Sequence, residues 1–303
     1  MKDYSIENQL VLARKFIEED LNRAVACYEI VFSQKPDLMT EDDFIDLALA
    51  YEDLNEIEKG FNVYQALLDS FPESDRGYYG LGVLSEELEK PEEAIKFYQK
   101  AIDKNPDYFE AYFYMAGVYD DLDKSLEAIK NYKIALELNP QHYYTNLNLG
   151  SIYESLHDDD IAYDYFMKAL DIDYHFMALF NLGVLAKKAQ RLDLAIEYYE
   201  DCIRLNPEYG YGYLNWSLIY KDKNQIEQAI EILTIGIEAT ENMSYLYYHR
   251  ACNYALLGDK DKCISDLQVA LKLYPNFDKY MVKDEDLTSV QAEVNNLIHF
   301  PKQ

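Results

Sequence analysis

The chain repeats itself. Shifted by about 34 residues, the stretch Phe109–His142 meets its own punctuation again. Ala128 falls on Ala94 upstream and Ala162 downstream, and Pro140 falls on Pro106 upstream, though on Tyr174 downstream. A period of this size confines a chain to an array of small supersecondary units, none of which can bury its apolar face alone. Aligning on the small residue and the closing proline gives eight units, 5–38, 41–74, 75–108, 109–142, 143–175, 176–209, 210–243 and 244–277, with 278–303 as a tail. Such an array behaves as one elongated body, so the two domains that 303 residues would ordinarily suggest are not expected.

Inside each unit the apolar residues recur at helical spacing. The first half carries a large residue, then Leu or Met followed by Gly or Ala, as in Tyr78…Leu81-Gly82, Tyr112…Met115-Ala116 and Leu179…Leu182-Gly183. An aromatic one turn on (Tyr51, Tyr119, Tyr153, Tyr220, Tyr254) fills the space beside the small residue. The second half carries Ala24, Ala94, Ala128, Ala162, Ala195 or Ala229, with an aromatic four residues later at Tyr28, Tyr98, Tyr132, Phe166 and Tyr199. The i, i+4, i+7 stripe predicts two helices per unit and no strands. Pro91 followed by two glutamates suits a helix N-terminus, and Asn224-x-x-Glu227 has the form of a capping box. Pro36, Pro72, Pro106, Pro140, Pro207 and Pro275 end the second helices. In the tail, Leu287, Val290, Val294, Leu297 and Ile298 share one helical face after Asp284-Glu285-Asp286, which predicts a final helix capping the array, the alternative being a helix that docks a partner.

Acidic residues outnumber basic ones 56 to 28, a net charge of −28. That field repels phosphate backbones, so nucleic acid is not an expected partner, and it keeps a large helical surface soluble. With no apolar run approaching a membrane span and no apolar core in MKDYSIENQLVLARKF, the chain is expected to be cytoplasmic and not membrane-inserted. Cys27, Cys202, Cys252 and Cys263 have no CxxC spacing and are expected to be reduced core residues.

No catalytic or metal-binding arrangement emerges. His142, His157, His175, His249 and His299 lack HxxxH or HExxH spacing, and no cysteine completes a zinc set. Nucleotide-loop and nucleophile-elbow motifs are missing. The acid runs around Asp120 and Asp158 lack the glycine and final glutamate of a calcium loop. The expectation is a non-enzyme without cofactor or metal.

The pattern aromatic…Leu-Gly…Tyr…Ala…Phe/Tyr…Ala…Pro, recurring in register, resembles the tetratricopeptide repeat over about nine-tenths of the chain. The resemblance implies an all-α right-handed superhelix, an alpha-solenoid of about eight helix-turn-helix repeats with a capping helix, whose concave groove binds protein or peptide. Departures occur in the first unit, with Leu12 and Lys15 for Gly and Tyr, in the second, with Gly60 for Ala, and in the eighth, with Cys263 there.

Carried onto this chain, the family's groove-facing first-helix positions give two lines. Ile45, Tyr79, Phe113, Leu147, Phe180, Leu214 and Tyr248 are apolar throughout, and serve either a groove or the packing between helices. The neighbouring line runs Asp46, Gly80, Tyr114, Asn148, Asn181, Asn215, His249. An asparagine amide both donates and accepts, so three in a row can pair with an extended peptide backbone, as the resemblance implies, or can cap local backbone groups. One turn further, Glu52, Asp53, Glu86, Glu87, Asp120, Asp121 and Glu154 give way to Lys187, Lys188 and Lys221. These charges either orient a bound chain or are solvated helix ends. The carboxylate clamp of chaperone-tail-binding members is not matched, Arg76 being the main base in the early units.

The expected function is a scaffold holding a partner's extended segment, with Asn148, Asn181 and Asn215 as contacts. Phe113, Tyr114, Tyr144, Phe180, Tyr211, Leu214 and Tyr248 flank them, and Lys187, Lys188 and Lys221 meet an acidic group. The alternative is a regulator whose shape responds to a bound peptide. Neither partner nor oligomeric state is readable from the residues.

Overall fold

The computed structural model describes residues 5–299. The first four residues of the N-terminal stretch, the side chain of His299 and residues 300–303 of the tail lie outside the described residues. The described chain is helical hairpins from end to end, an alpha-solenoid with no strand among the described residues. The pairs are α1 (Ile6–Phe16) with α2 (Leu21–Gln34), α3 (Glu41–Asp53) with α4 (Ile57–Ser70), α5 (Asp75–Glu87) with α6 (Pro91–Lys104), and α7 (Phe109–Asp121) with α8 (Ser125–Leu138). They continue as α9 (Tyr143–Ser155) with α10 (Asp159–Ile172), α11 (Phe176–Lys188) with α12 (Leu192–Leu205), α13 (Gly210–Asp222) with α14 (Ile226–Ala239), and α15 (Ser244–Leu256) with α16 (Lys260–Leu273). By compactness the chain divides into two units, one ending at Thr145 and one beginning at Asn146, within α9.

In three hairpins, α5–α6, α9–α10 and α11–α12, a second-helix ring is set against a first-helix glycine. The rings of Tyr98, Phe166 and Tyr199 are fully buried and lie against Gly82, Gly150 and Gly183. A Cβ at Gly82 would stand 2.5 Å from the Tyr98 ring, closer than any side chain tolerates. The missing side chain is therefore what admits the ring, and the ring is what fills the hairpin.

The turn between the paired helices is equally regular. Asn55, Glu89, Asp123, His157, Gln190, Asn224 and Gly258 all sit in the left-handed region, six of them between +57° and +64° and Gly258 at +78°. In each case the next residue's N–H reaches five residues back, as Lys90 does to the Ser85 carbonyl at 2.8 Å and Asp158 to Tyr153 at 2.9 Å. This is the Schellman closure, which satisfies the orphan carbonyls of the first helix. Asn224 therefore ends α13 and does not begin a capping box: α14 starts after Gln225 with no side-chain cap. Asparagine favours both N-caps and left-handed turns, so its type alone does not separate them. A capping box does form at Thr40 and Asp43 on α3. Prolines stand two residues beyond α2, α4, α6, α8, α12 and α16, and Pro91 opens α6.

The tail departs from a single helix. After a 3-10 turn at Pro275–Phe277 come α17 (Asp278–Met281), a second 3-10 segment at Glu285–Val290 and α18 (Gln291–His299). Asp284 bends the chain by accepting from the Asp286 N–H at 2.9 Å, a local bond that competes with a continuous helix. Met281, Leu287, Val290 and Val294 are nonetheless fully buried, in one cluster with Cys252, Ala255 and Leu267.

Gly82→Ala should lower the urea unfolding midpoint by the equivalent of about 1–3 kcal/mol. Gly117→Ala should raise it, because a Cβ there meets only the Tyr132 hydroxyl at 3.6 Å and alanine is the better helix former by about 1 kcal/mol.

Candidate functional site

The apolar line lies at the joints between successive hairpins. In the first unit Tyr79 packs on Tyr108 with ring centroids 5.1 Å apart, and Phe113 on His142 at 4.9 Å. In the second, Phe180 packs on Tyr209 at 5.2 Å and Tyr248 stacks on Phe277 at 4.7 Å. Tyr79, Phe113 and Phe180 thus meet the aromatic that precedes the next hairpin and Tyr248 meets one at the start of the tail, and Ile45, Leu147 and Tyr248 are buried outright. Leu214 is half-buried against the Tyr213–Leu246 cluster. Packing between helices accounts for most of this line's surface.

The second line is more open. Tyr114 is 42% exposed, and Asn148, Asn181 and Asn215 are half-buried on α9, α11 and α13. The Asn215 amide donates to the Tyr211 carbonyl one turn back at 3.1 Å, which leaves its own carbonyl oxygen as an acceptor. Gly80 has no side chain here because the Tyr64 ring occupies the place, 2.3 Å from where a Cβ would be. Asp46 accepts from the buried Tyr28 hydroxyl at 3.3 Å. His249 is half-buried, and burial, aided by Lys221, holds its pKa below the ordinary histidine value. Tyr144 and Tyr211 are each 50% exposed, Tyr211 stacked on Tyr245 at 4.8 Å.

Charges separate the two units. In the second, each candidate lysine holds a carboxylate of the chain itself: Lys187 pairs with Asp222 at 3.7 Å, and Lys188 with Asp159 at 2.6 Å and Glu154 at 3.7 Å. Lys221 pairs with Asp286 of the tail. An acidic ligand would have to displace these partners. Arg76, in the first unit, is held by Asp42 at 2.6 Å. Glu52, Glu86 and Asp120, also in the first unit, pair with no lysine or arginine among the described residues. Glu52 accepts from the Tyr64 hydroxyl at 3.2 Å and Glu86 from that of Tyr98. Burial raises the pKa of all three above the ordinary carboxylate value. Neighbouring acids, such as Glu87 beside Glu52 and Asp121 beside Glu86, raise it further.

One grouping was invisible in the sequence. The Cys252 thiol and the Asp284 and Asp286 carboxylates come within 4.8 Å of one another. Tyr248 donates to Asp284 at 2.5 Å and Lys221 holds Asp286, so both carboxylates already have partners from the chain. Among the described residues, no helix is long and apolar enough to cross a membrane.

Known proteins agree with this architecture. Models of the tetratricopeptide repeat match residues 45–109, 97–130, 143–176, 176–209 and 245–276. The chain belongs to the tetratricopeptide repeat family, an architecture of protein-interaction scaffolds. Similar solved structures include a tetratricopeptide repeat protein from Parabacteroides merdae ATCC 43184, 18% identical, covering 86% of this chain and 98% of that one at a TM-score of 0.63. A chain of the APC/C hetero-tetramer Cut9–Hcn1 is 18% identical over 96% of this chain and 56% of its own, at 0.58. The MamA protein is 24% identical over 56% of this chain and 92% of its own, at 0.52. At these identities the likeness is one of fold. No curated protein matches the chain in sequence.

The raised carboxylates give a pH prediction. Above its folded pKa, Glu86 is held ionised at a cost the unfolded chain does not bear. As the pH falls through that raised value the folded state takes up the proton first and the cost disappears. Glu86→Gln should therefore raise the melting temperature at pH 7, by the equivalent of about 0.5 kcal/mol. The gain should shrink in acid, as melting curves across pH would read.

Proposed function

We propose that the chain is a non-enzymatic scaffold that holds an extended segment of a protein or peptide partner along the first helices of its repeats. The observation that carries this reading is the return of asparagine to one position in α9, α11 and α13, at Asn148, Asn181 and Asn215. Side chains there are half-buried, neither sealed in the core nor fully exposed to solvent. An amide so placed has the donor and the acceptor needed to pair with a peptide backbone, irrespective of that peptide's side chains. Exposed Tyr211, with half-buried Phe180 and Leu214, supplies apolar surface in the second unit. Phe113, Tyr114 and Tyr144 supply it in the first.

Lys221 and Tyr248 contribute less to this reading than their sequence positions suggest, since the tail holds both. Lys187 and Lys188 can serve an acidic group of the partner by exchanging exposed internal pairs, which are individually weak, typically about 0–1 kcal/mol.

The test is the triple variant Asn148→Ala, Asn181→Ala, Asn215→Ala, compared with wild type in titration calorimetry against a partner purified from the source cells. With the helical circular dichroism spectrum unchanged, affinity should fall at least about tenfold, the sum of three modest hydrogen-bond contributions. Unaltered affinity removes the asparagines from the mechanism.

A further inference from the structure

The first unit carries an aromatic face of its own. The Tyr79 ring lies 5.8 Å from Tyr98 and 6.0 Å from Tyr114, and Tyr98 and Tyr114 stack at 6.4 Å. Phe113 meets Tyr114 edge-on at 5.3 Å. Most of these rings are buried or half-buried, and Tyr114 brings the cluster to the surface at 42% exposure. Burial alone does not require an exposed tyrosine at the top of the stack. An exposed ring presents the negative side of its quadrupole to whatever docks on it.

Two carboxylates belong to the same face. Glu86 accepts the Tyr98 hydroxyl bond beneath Tyr114, and Glu110 stands one helical turn before Tyr114 on α7, on the same helix face. Burial raises the pKa values of Tyr79 and Tyr108 and lowers that of His142, and Glu110 pushes all three upward, so its charge is felt at the aromatic residues around Tyr79. Neither acid pairs with a lysine or arginine among the described residues. Arg76, the base nearest in sequence on α5, is held at 2.6 Å by Asp42. The second unit shows the opposite arrangement: there Glu154, one period beyond Asp120, is met by Lys188.

We propose that this face takes an arginine- or lysine-bearing segment of a partner protein, its cation seated over Tyr114 between Glu86 and Glu110. The inference rests on reading the chain as a segment-binding scaffold and supplies the chemistry of what its first unit holds. Cation and ring attract, the two carboxylates supply charge-assisted hydrogen bonds, and the like-charge repulsion along α5 and α7 is relieved on binding. The net charge of −28 steers such a segment inward but gives no selectivity by itself.

The experiment uses the full chain and two fluorescein-labelled 12-residue peptides, one of alternating arginine and serine, one of alternating glutamate and serine. Anisotropy is read at about 150 mM salt, where long-range attraction is screened. Only the arginine peptide should bind. Tyr114→Ala should weaken it about fivefold, and Glu86→Gln with Glu110→Gln about tenfold or more. Glu127→Gln with Glu137→Gln, which removes the same charge from exposed positions of α8, should change it less than about twofold. Circular dichroism confirms that each variant is folded. Absent binding, equal binding of the glutamate peptide, or equal losses in the two charge-matched variants would overturn the proposal. The Asn148/Asn181/Asn215 triple variant keeps the two readings apart. It should bind the arginine peptide like wild type, so a failed peptide assay with its natural-partner defect intact rejects the cationic face alone.

Discussion

In three of the eight hairpins a second-helix ring meets a first-helix glycine, and the rest of each such hairpin depends on that contact. It sets how closely two helices of a hairpin approach, and that distance positions every other residue on them. Where the glycine is present, at Gly82, Gly150 and Gly183, the ring sits with essentially no exposure. The Schellman turn then fixes the direction in which the second helix leaves. Six of the seven turns use residues other than glycine in a conformation that costs L-residues roughly 1–2 kcal/mol each. Hairpin packing outweighs that local preference.

On this frame the functional contrast is one of charge compensation. Both units carry acids near the ends of their first helices, yet only the second supplies lysines to meet them. The first leaves Glu52, Glu86 and Asp120 half-buried and repelled by their neighbours. The first unit has ion pairs of its own, such as Arg14 with Asp43 and Arg76 with Asp42, but none of them reaches Glu52, Glu86 or Asp120 among the described residues.

The period, the helix pairs and the buried rings were legible because each is a local pattern. Gly82 and Tyr98 lie in adjacent helices, and their spacing recurs. Less legible were roles that depend on distant chain. Lys221 meets Asp286 across 65 residues, and no residue-type rule links the two. Tyr248 looks like its counterparts Tyr79 and Phe180, yet Asp284 and Phe277 enclose it. The division between joint and groove was also hidden, since Phe113 and Tyr114 are adjacent in sequence and differ mainly in what the next hairpin covers. In the tail, helical spacing was correct for which residues are buried, while Asp284 broke the helix expected to carry them.

The tail has a consequence for assembly. Repeat arrays end in an apolar face that matches their own internal joints, and such a face invites another copy to add on, head to tail and without closure. Met281, Leu287, Val290 and Val294 fill that face on α15 and α16, and Lys260 with Glu293 fastens its rim at 3.1 Å. At this edge of the eighth hairpin, the segment 281–294 takes the place that the first helix of a further hairpin would need.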